Sequence, residues 1–490
     1  MHKTFFLTLF LFLSACAVEP DFKSPDAPAT SSYTAEADAL PDEQKIALGK
    51  KLEAEWWKLF ASEPLNDTIH RAMRDNYGIA AAKETLKAAE EAVKAESGGL
   101  LPQVGISGAA NRQKYGVALF GPSNFTIPPF TAYQAGAEIS WVPDIFGGTR
   151  RSVERQQALA EYQAHELNAA YVTLTADVTA QALEIASAKA EIEAANRIVA
   201  EDEKTLKLAQ EAFKAGSGTK VDILSAQSQL DTDRTLIPPL EQRLSVARHA
   251  LSILAGKAPA DWTPPDFTMD GFTLPAELPV SLPSELVRKR PDILAVEANL
   301  HAASAAIGVA TANLYPHITL SANTVQESLT PHGLFEGTGN AWTLAAGLTA
   351  PIFSGGTLTA EKRKAEHAYQ AALADYRQTI LRSFGQVADA LTALKHDSDA
   401  VHAQEQAVKT AEASLDLARE SYRVGNSTLL QVQDASRYLA QAQLGLIRAQ
   451  RQHYLDTAGL FVALGGSPVT ATEFPGAADK RNDISLTLNF

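Results

Sequence analysis

The sequence has 490 residues, more than one ordinary domain, so it holds either several domains or one repeated architecture. Hydrophobic residues make up 46% and charged residues 20%, which excludes wholesale disorder, a collagen-like chain and a conventional polytopic membrane protein. The formal net charge of −14, with no Lys/Arg run longer than three residues, would repel a phosphate backbone, and a lone cysteine leaves neither an internal disulfide nor a Cys-based metal site.

Residues 1–15 read as an export signal: Lys3, an apolar run from Phe5 to Leu13, then Ser14-Ala15 before Cys16. The run is too short to span a bilayer. It resembles a bacterial lipobox, which implies cleavage before Cys16, diacylglycerol on its thiol and acylation of the new N-terminus. An ordinary signal peptide with an incidental cysteine is the alternative. Several acyl chains anchor a protein stably where one does not. Ala17 rather than Asp after the cysteine implies, by likeness to lipoprotein sorting, the outer membrane. Residues 16–64 then form an anchor and leader.

A first repeat, 65–257, opens with an Ala-rich helix of about 35 residues at 65–99, with apolar residues at helical spacing. Pro102 ends it. Candidate strands at 103–112 and 133–142 flank a Gly/Pro/aromatic-rich loop. Between Gly148 and Lys257 the only prolines are Pro238 and Pro239, which allows a long helix at 148–215. Gly216-Ser217-Gly218 reverses the chain into a helix at 219–255, where Thr219 and Asp222 have capping-box spacing. Pro238-Pro239 is expected to kink that helix midway.

Pro259, Pro264, Pro265, Pro275, Pro279 and Pro283 make 258–283 a linker. The second repeat, 284–466, runs through a helix at 284–314, strands at 317–326 and 341–352, and a long helix at 356–424. Gly425-Asn426-Ser427 reverses the chain, and Thr428 with Gln431 caps the next helix. The tail, 467–490, lacks helical period and is expected to be poorly ordered.

The two halves share one plan of about 210 residues. Asn76-Tyr77-Gly78-Ile79 aligns with Arg290-Pro291-Asp292-Ile293, and the same gapless shift carries Leu86 to Leu300 and Pro102 to Pro316. Further on, Gly147-Gly148 meets Gly355-Gly356 and Pro259 meets Pro468. Tyr171, Val178, Ile185, Ile192, Val199, Leu206 and Phe213 recur every seven residues. Ile380, Val387, Leu394, Val401, Val408, Leu415 and Tyr422 repeat the ladder, implying left-handed coiled-coil packing. Gln181 and Asp202 enter the seam, so one face is not dry.

Each long helix would extend ~100 Å at 1.5 Å per residue. The two shorter helices of a half nearly equal it end to end, so each half makes a two-stranded rod carrying a β-hairpin. Ile318, Leu320 and Ala322 alternate with Thr319, Ser321 and Asn323, a period shared by transmembrane barrel strands and by half-buried soluble sheets. Four strands cannot close a barrel, so open edges must pair with other subunits, and three copies would supply twelve strands.

At this point the chain resembles the outer-membrane efflux factor family, the TolC type, in its lipoprotein branch. The likeness rests on Cys16-Ala17-Val18-Glu19-Pro20-Asp21-Phe22, Trp56-Trp57 with Phe60, Leu100-Leu101-Pro102, Arg290-Pro291-Asp292-Ile293, Ile307-Gly308 with Tyr315-Pro316, Pro351-Ile352-Phe353-Ser354-Gly355-Gly356, and Tyr422-Arg423-Val424-Gly425. It implies a mainly α fold with β: a homotrimeric duct, twelve-stranded in the outer membrane and continued by an α-helical coiled-coil barrel. It also implies export of drugs, metal ions or other small molecules from an inner-membrane pump, of RND type, through a periplasmic adaptor.

The resemblance makes the reversals, Gly216, Ser217, Gly218, Thr219, Gly425, Asn426, Ser427 and Thr428, the surface that meets the adaptor. Simple closure of two helical hairpins explains the same residues. Asp222 and Asp434 match acidic positions that narrow the tunnel entrance, and Tyr422 matches a gate aromatic. Helix-dipole stabilisation is the alternative for Asp222, and Tyr422 is also a heptad rung. Ser427 stands where the pattern can carry a gate arginine and Gln431 replaces one acid, which leaves Arg423 and Arg437 as substitutes.

Enzyme motifs are absent. Gly216-Ser217-Gly218-Thr219-Lys220 fails the phosphate-loop spacing, and no GxSxG, HExxH or GxGxxG occurs. The histidines are scattered without a helical pair suited to zinc, so neither cofactor nor metal is expected. A protein-secretion duct and a non-transporting coiled-coil lipoprotein are the competing functions.

Overall fold

The computed structural model describes residues 21–28, 30, 32–33, 44–115 and 128–467. Cys16, the signal segment and all but the first residue of the tail lie outside the described residues. In chain order the elements begin with β1 (Lys45–Leu48), α1 (Glu63–Asp75), α2 (Tyr77–Ser97), β2 (Gln103–Gln113), β3 (Phe130–Trp141) and α3 (Gly148–Lys214). The return from α3 is α4 (Lys220–Arg234) and α5 (Ile237–Leu254), followed by β4 (Glu277–Val280), α6 (Pro283–Leu286) and α7 (Pro291–Ala312). Last come β5 (His317–Ser328), β6 (Asn340–Thr349), α8 (Thr357–Arg423) and α9 (Leu429–Ala463).

The chain forms two compact units. One gathers the described residues up to Pro25 with Leu86–Tyr162 and Val296–Tyr376. Its centre is an antiparallel sheet in the order β2-β3-β5-β6. Arg151, in the first turns of α3, donates to Asp21 at 2.8 Å and to Glu154 at 2.6 Å, and Glu154 meets His301 at 2.9 Å. Phe22 stacks on the His301 ring at 4.5 Å, so the leader is strapped to this unit by charge and ring contact together. Gly308 makes room for the strap, because a Cβ there would stand 2.8 Å from Arg151 Cγ.

The other unit holds Asp26–Thr85, Gln163–Ala295 and the described residues from Arg377 on. Trp56, Trp57 and Phe60 are fully buried, and both Trp56 and Phe60 pack on Phe461. The heptad rungs do the work their spacing assigns: Val178, Ile185, Val387, Leu394 and Leu415 are buried, and Ala188 and Ala195 close the gaps between rungs. Phe213, the last rung of α3, is exposed beside the chain reversal. Glu191 is fully buried and accepts from Arg243 and Arg448, both at 3.1 Å, which joins α3, α5 and α9 through one carboxylate. Desolvating that group is tolerable only because it is paired and hydrogen-bonded.

Three expected helices are interrupted. The helix expected at 65–99 breaks at Asn76, whose backbone is extended and whose side chain accepts from the Ile79 N–H at 3.1 Å. The one expected at 284–314 splits into α6 and α7, with Pro291 opening α7 where a missing N–H costs nothing. Pro238-Pro239 does more than kink the helix after α3: α4 stops at Arg234, and α5 restarts at Ile237 with proline in its first turn. The linker also holds structure, since β4 pairs in parallel with β1 of the leader and buries Leu278 and Val280.

Candidate functional site

Strand register divides the four-stranded sheet into two chemically distinct faces. Val104, Ile139, Ala322 and Leu344 lie directly opposite one another across the four strands, as do Trp141, Leu320 and Ala346, and Ile318 with Leu348. The alternate face carries Gln103, Ser107, Asn111, Gln134, Glu138, Ser321, Asn323, Glu327 and Thr343. Gln134 donates to Glu327 at 2.9 Å across it.

Both faces are largely bare within the chain, the apolar one included. Ile106 is 89% exposed and Trp342 69%, with Val104, Leu344 and Leu348 similarly open. A half-buried soluble sheet would cover these side chains, whereas a lipid-facing sheet leaves them bare within its own chain. Among the described residues, the outer edges of β2 and β6 have no strand partner. Unpaired edges of this length are templates for pairing with other strands.

The two chain reversals are built alike. Gly216 and Gly425 take φ of +78° and +82°, a left-handed conformation that glycine adopts without strain. Each is followed by a Schellman bond: Ser217 N–H donates to Ala212 O at 3.0 Å, and Asn426 N–H to Ser421 O at 2.9 Å. Gly218 lies so close to α3 that a Cβ would stand 3.0 Å from the Phe213 nitrogen. Ser427 donates to Ala418 O at 3.3 Å.

At the start of α4, Asp222 Oδ2 accepts from the Thr219 N–H at 2.8 Å, and Thr219 Oγ1 accepts in turn from the Asp222 N–H at 3.2 Å. At the start of α9, Gln431 Oε1 accepts from the Thr428 N–H at 3.2 Å. Tyr422 packs against Ala209, Ala226 and Leu429 on one side and Leu415, Val432 and Ala435 on the other, so it bridges the two hairpins. Burial and then the nearby charge of Asp222 push its phenol up, which ties those two predicted residues together.

Asp434 and Arg423 stand apart from that pair. Asp434 accepts from Arg437 at 2.8 Å on its own helix, and Arg423 holds Glu420 at 2.6 Å on α8. Sequence reading missed a deeper acid pair. Asp202 on α3 and Asp233 on α4 face each other, and burial, followed by Asp233, raises the Asp202 carboxyl to about 7. Its only sequence signal is an acid in the heptad seam.

The described residues hold no group of three or more His, Cys, Asp or Glu arranged for a metal. Of the described helices, α7 alone is long and apolar enough to cross a membrane, and half of that stretch is buried, as in a core helix.

Comparison with known proteins agrees with this geometry. The outer membrane efflux protein family model matches residues 68–257 and 282–466. The pyoverdine export outer membrane protein OpmQ of Pseudomonas putida is 31% identical over 90% of this chain and 92% of its own. The toluene efflux pump outer membrane protein TtgF, also of Pseudomonas putida, is 29% identical over 95% of this chain and 97% of its own. The structure of the outer-membrane channel OprN superimposes with a TM-score of 0.84 at 26% identity, covering 92% of this chain and all of that one. An uncovered apolar sheet face, open strand edges and two matched helical hairpins are therefore the features of a TolC-like chain, and this protein belongs to the outer membrane efflux protein family, a non-enzymatic channel of the outer membrane.

Proposed function

We propose that the chain is the exit channel of a tripartite efflux system. Three copies join their sheets edge to edge into twelve strands. The helices continue the passage through the periplasm to a periplasmic adaptor and an inner-membrane pump of RND type, which supplies the energy. The observation that carries this reading is the sheet: its bare apolar face asks for lipid, and its two free edges ask for further strands. The repeats at 65–257 and 284–466, either side of the linker at 258–283, each supply one β-hairpin and one helical hairpin.

Cys16 carries the lipid that holds the protein at the outer membrane. The reversals around Gly216 and Gly425, with their capping threonines Thr219 and Thr428, form the surface offered to the adaptor. Asp222, beside Tyr422, and Asp434, paired with Arg437, place carboxylates near the tunnel mouth. Relatives named for pyoverdine export and toluene efflux support small organic molecules as the cargo.

Purified protein in planar bilayers tests the reading. Discrete single-channel steps are expected, whereas a coiled-coil spacer gives none and would overturn it. Intact mass measurement should find acyl chains on an N-terminal Cys16, and an unlipidated mature terminus would remove the anchor.

A further inference from the structure

Helix α4 is an unusually independent segment. It spans fifteen residues between the reversal at Gly216 and the interruption at Thr235-Leu236, and only Ala226, Leu230 and Asp233 are buried along it. One of its three buried residues is therefore an acid, and two bonds at its flanks add to the docking: Ser225 donates to Gln433 of α9 and Arg234 to Glu203 of α3, both at 2.9 Å. Asp233 meets Asp202 of α3, which is 3% exposed, while Asp233 is 8% exposed.

The charged and polar groups around this pair can be accounted for. From α4, Gln229 donates to Asp233 Oδ2 at 2.8 Å. From α9, Ser436 hydrogen-bonds Asp202, and from α8 the Arg419 guanidinium acts on it at longer range. That guanidinium is already engaged by Glu201 at 2.7 Å. Asp202 Oδ2 is buried and has no donor among the described residues. A carboxylate oxygen facing a second buried carboxylate is satisfied by a proton held between them.

We propose that Asp202 and Asp233 form a proton-operated clasp that docks α4 on α3 while one proton is shared, and releases α4 about the Thr235-Leu236 joint when that proton leaves. The step is a simple deprotonation. The carboxyl gives its proton to solvent, no other bond is broken, and two carboxylates are left in contact in a poorly solvated seam. Their repulsion acts on a helix with few other buried contacts, so the helix moves rather than the fold. The device regulates the segment that carries Asp222 and Thr219, and it stands independently of whether the trimer conducts.

The second hairpin supplies an internal control. Asp397 of α8 faces Asp456 of α9, and Gln452 donates to Asp456 at 2.9 Å just as Gln229 does to Asp233. There α9 runs unbroken from Leu429 to Ala463, so no short segment is free to leave.

Hydrogen exchange of the full-length protein in detergent between pH 6 and 8, corrected for intrinsic rates, tests the clasp. Peptides from 220–234 should show an opening equilibrium that rises about tenfold over that range, the change expected when one proton with a docked pKa near 7 is lost from a group that is fully ionised once released. Peptides from 237–254 should not follow it. Asp202→Asn places a permanent amide donor against Asp233 and should flatten the dependence. Asp233→Asn should do the same from the other side, which keeps the test valid if one variant folds poorly. Equal pH dependence in wild type and in either folded variant, or none in wild type, overturns the proposal.

Discussion

Arg290 donates from Nη1 to the carbonyl oxygen of Ala463 at 2.8 Å, satisfying a backbone acceptor in the last turn of α9. Asn76 does the same for Leu254 at the end of α5, at 2.9 Å, with a different side chain at the equivalent point of the repeat. Each helix then ends on a left-handed glycine, Gly256 or Gly465. Arg290→Ala is expected to cost about 1.5–3 kcal/mol, since a charged donor is lost from a buried acceptor, and Asn76→Ala about 0.5–1.5 kcal/mol. Denaturant unfolding of the purified protein measures both. Gly256→Ala should cost more than Asn76→Ala, because its Cβ would lie 2.1 Å from Asp75 O at a φ of +69°.

The cap on α4 separates two roles for Asp222. Thr219→Ala should destabilise the protein by about 0.5–2 kcal/mol through loss of the box. Replacing both Asp222 and Asp434 with alanine should lower the cation preference of the channel while leaving the oligomer intact. Reversal potentials in a salt gradient, recorded beside thermal stability, distinguish these effects. Lowered stability with unchanged selectivity would make Asp222 a cap and nothing more.

Stability should also depend on pH through the second acid pair. Burial, then Asp456, raises the Asp397 carboxyl to about 7, so the folded state holds a proton there that the unfolded chain releases near 4. That stabilisation is complete below the unfolded value and is lost as pH rises from about 4 through 7, after which the curve levels. Asp397→Asn should therefore stabilise the protein relative to wild type at pH 8 and do little at pH 4. Thermal melts across that range provide the comparison.

Much of this was legible from residue spacing. The seven-residue ladders placed Ile185 and Leu394 in the core, and alternation placed Ile318 and Leu320 on one side of a strand. Spacing alone left that sheet open between lipid and a soluble core, because the period is the same in both. Only the lack of cover over Ile106 and Leu344 separates them. The break at Asn76 was hidden because its cause is a carbonyl of Leu254, distant in sequence. The pairing of β4 with β1 was obscured by Pro279, which normally argues against a strand but is tolerated in a two-stranded pair. Asp233 carried no signal at all, since its meaning depends on which acid faces it.

The central claim is that one chain contributes one third of a membrane barrel. Native mass spectrometry of the detergent-solubilised protein tests it most directly. A particle of three chains that keeps its β signal and yields no stable monomer under the same conditions is expected. A monomer with the full β signal would show that β2 and β6 need no partners, and would contradict it.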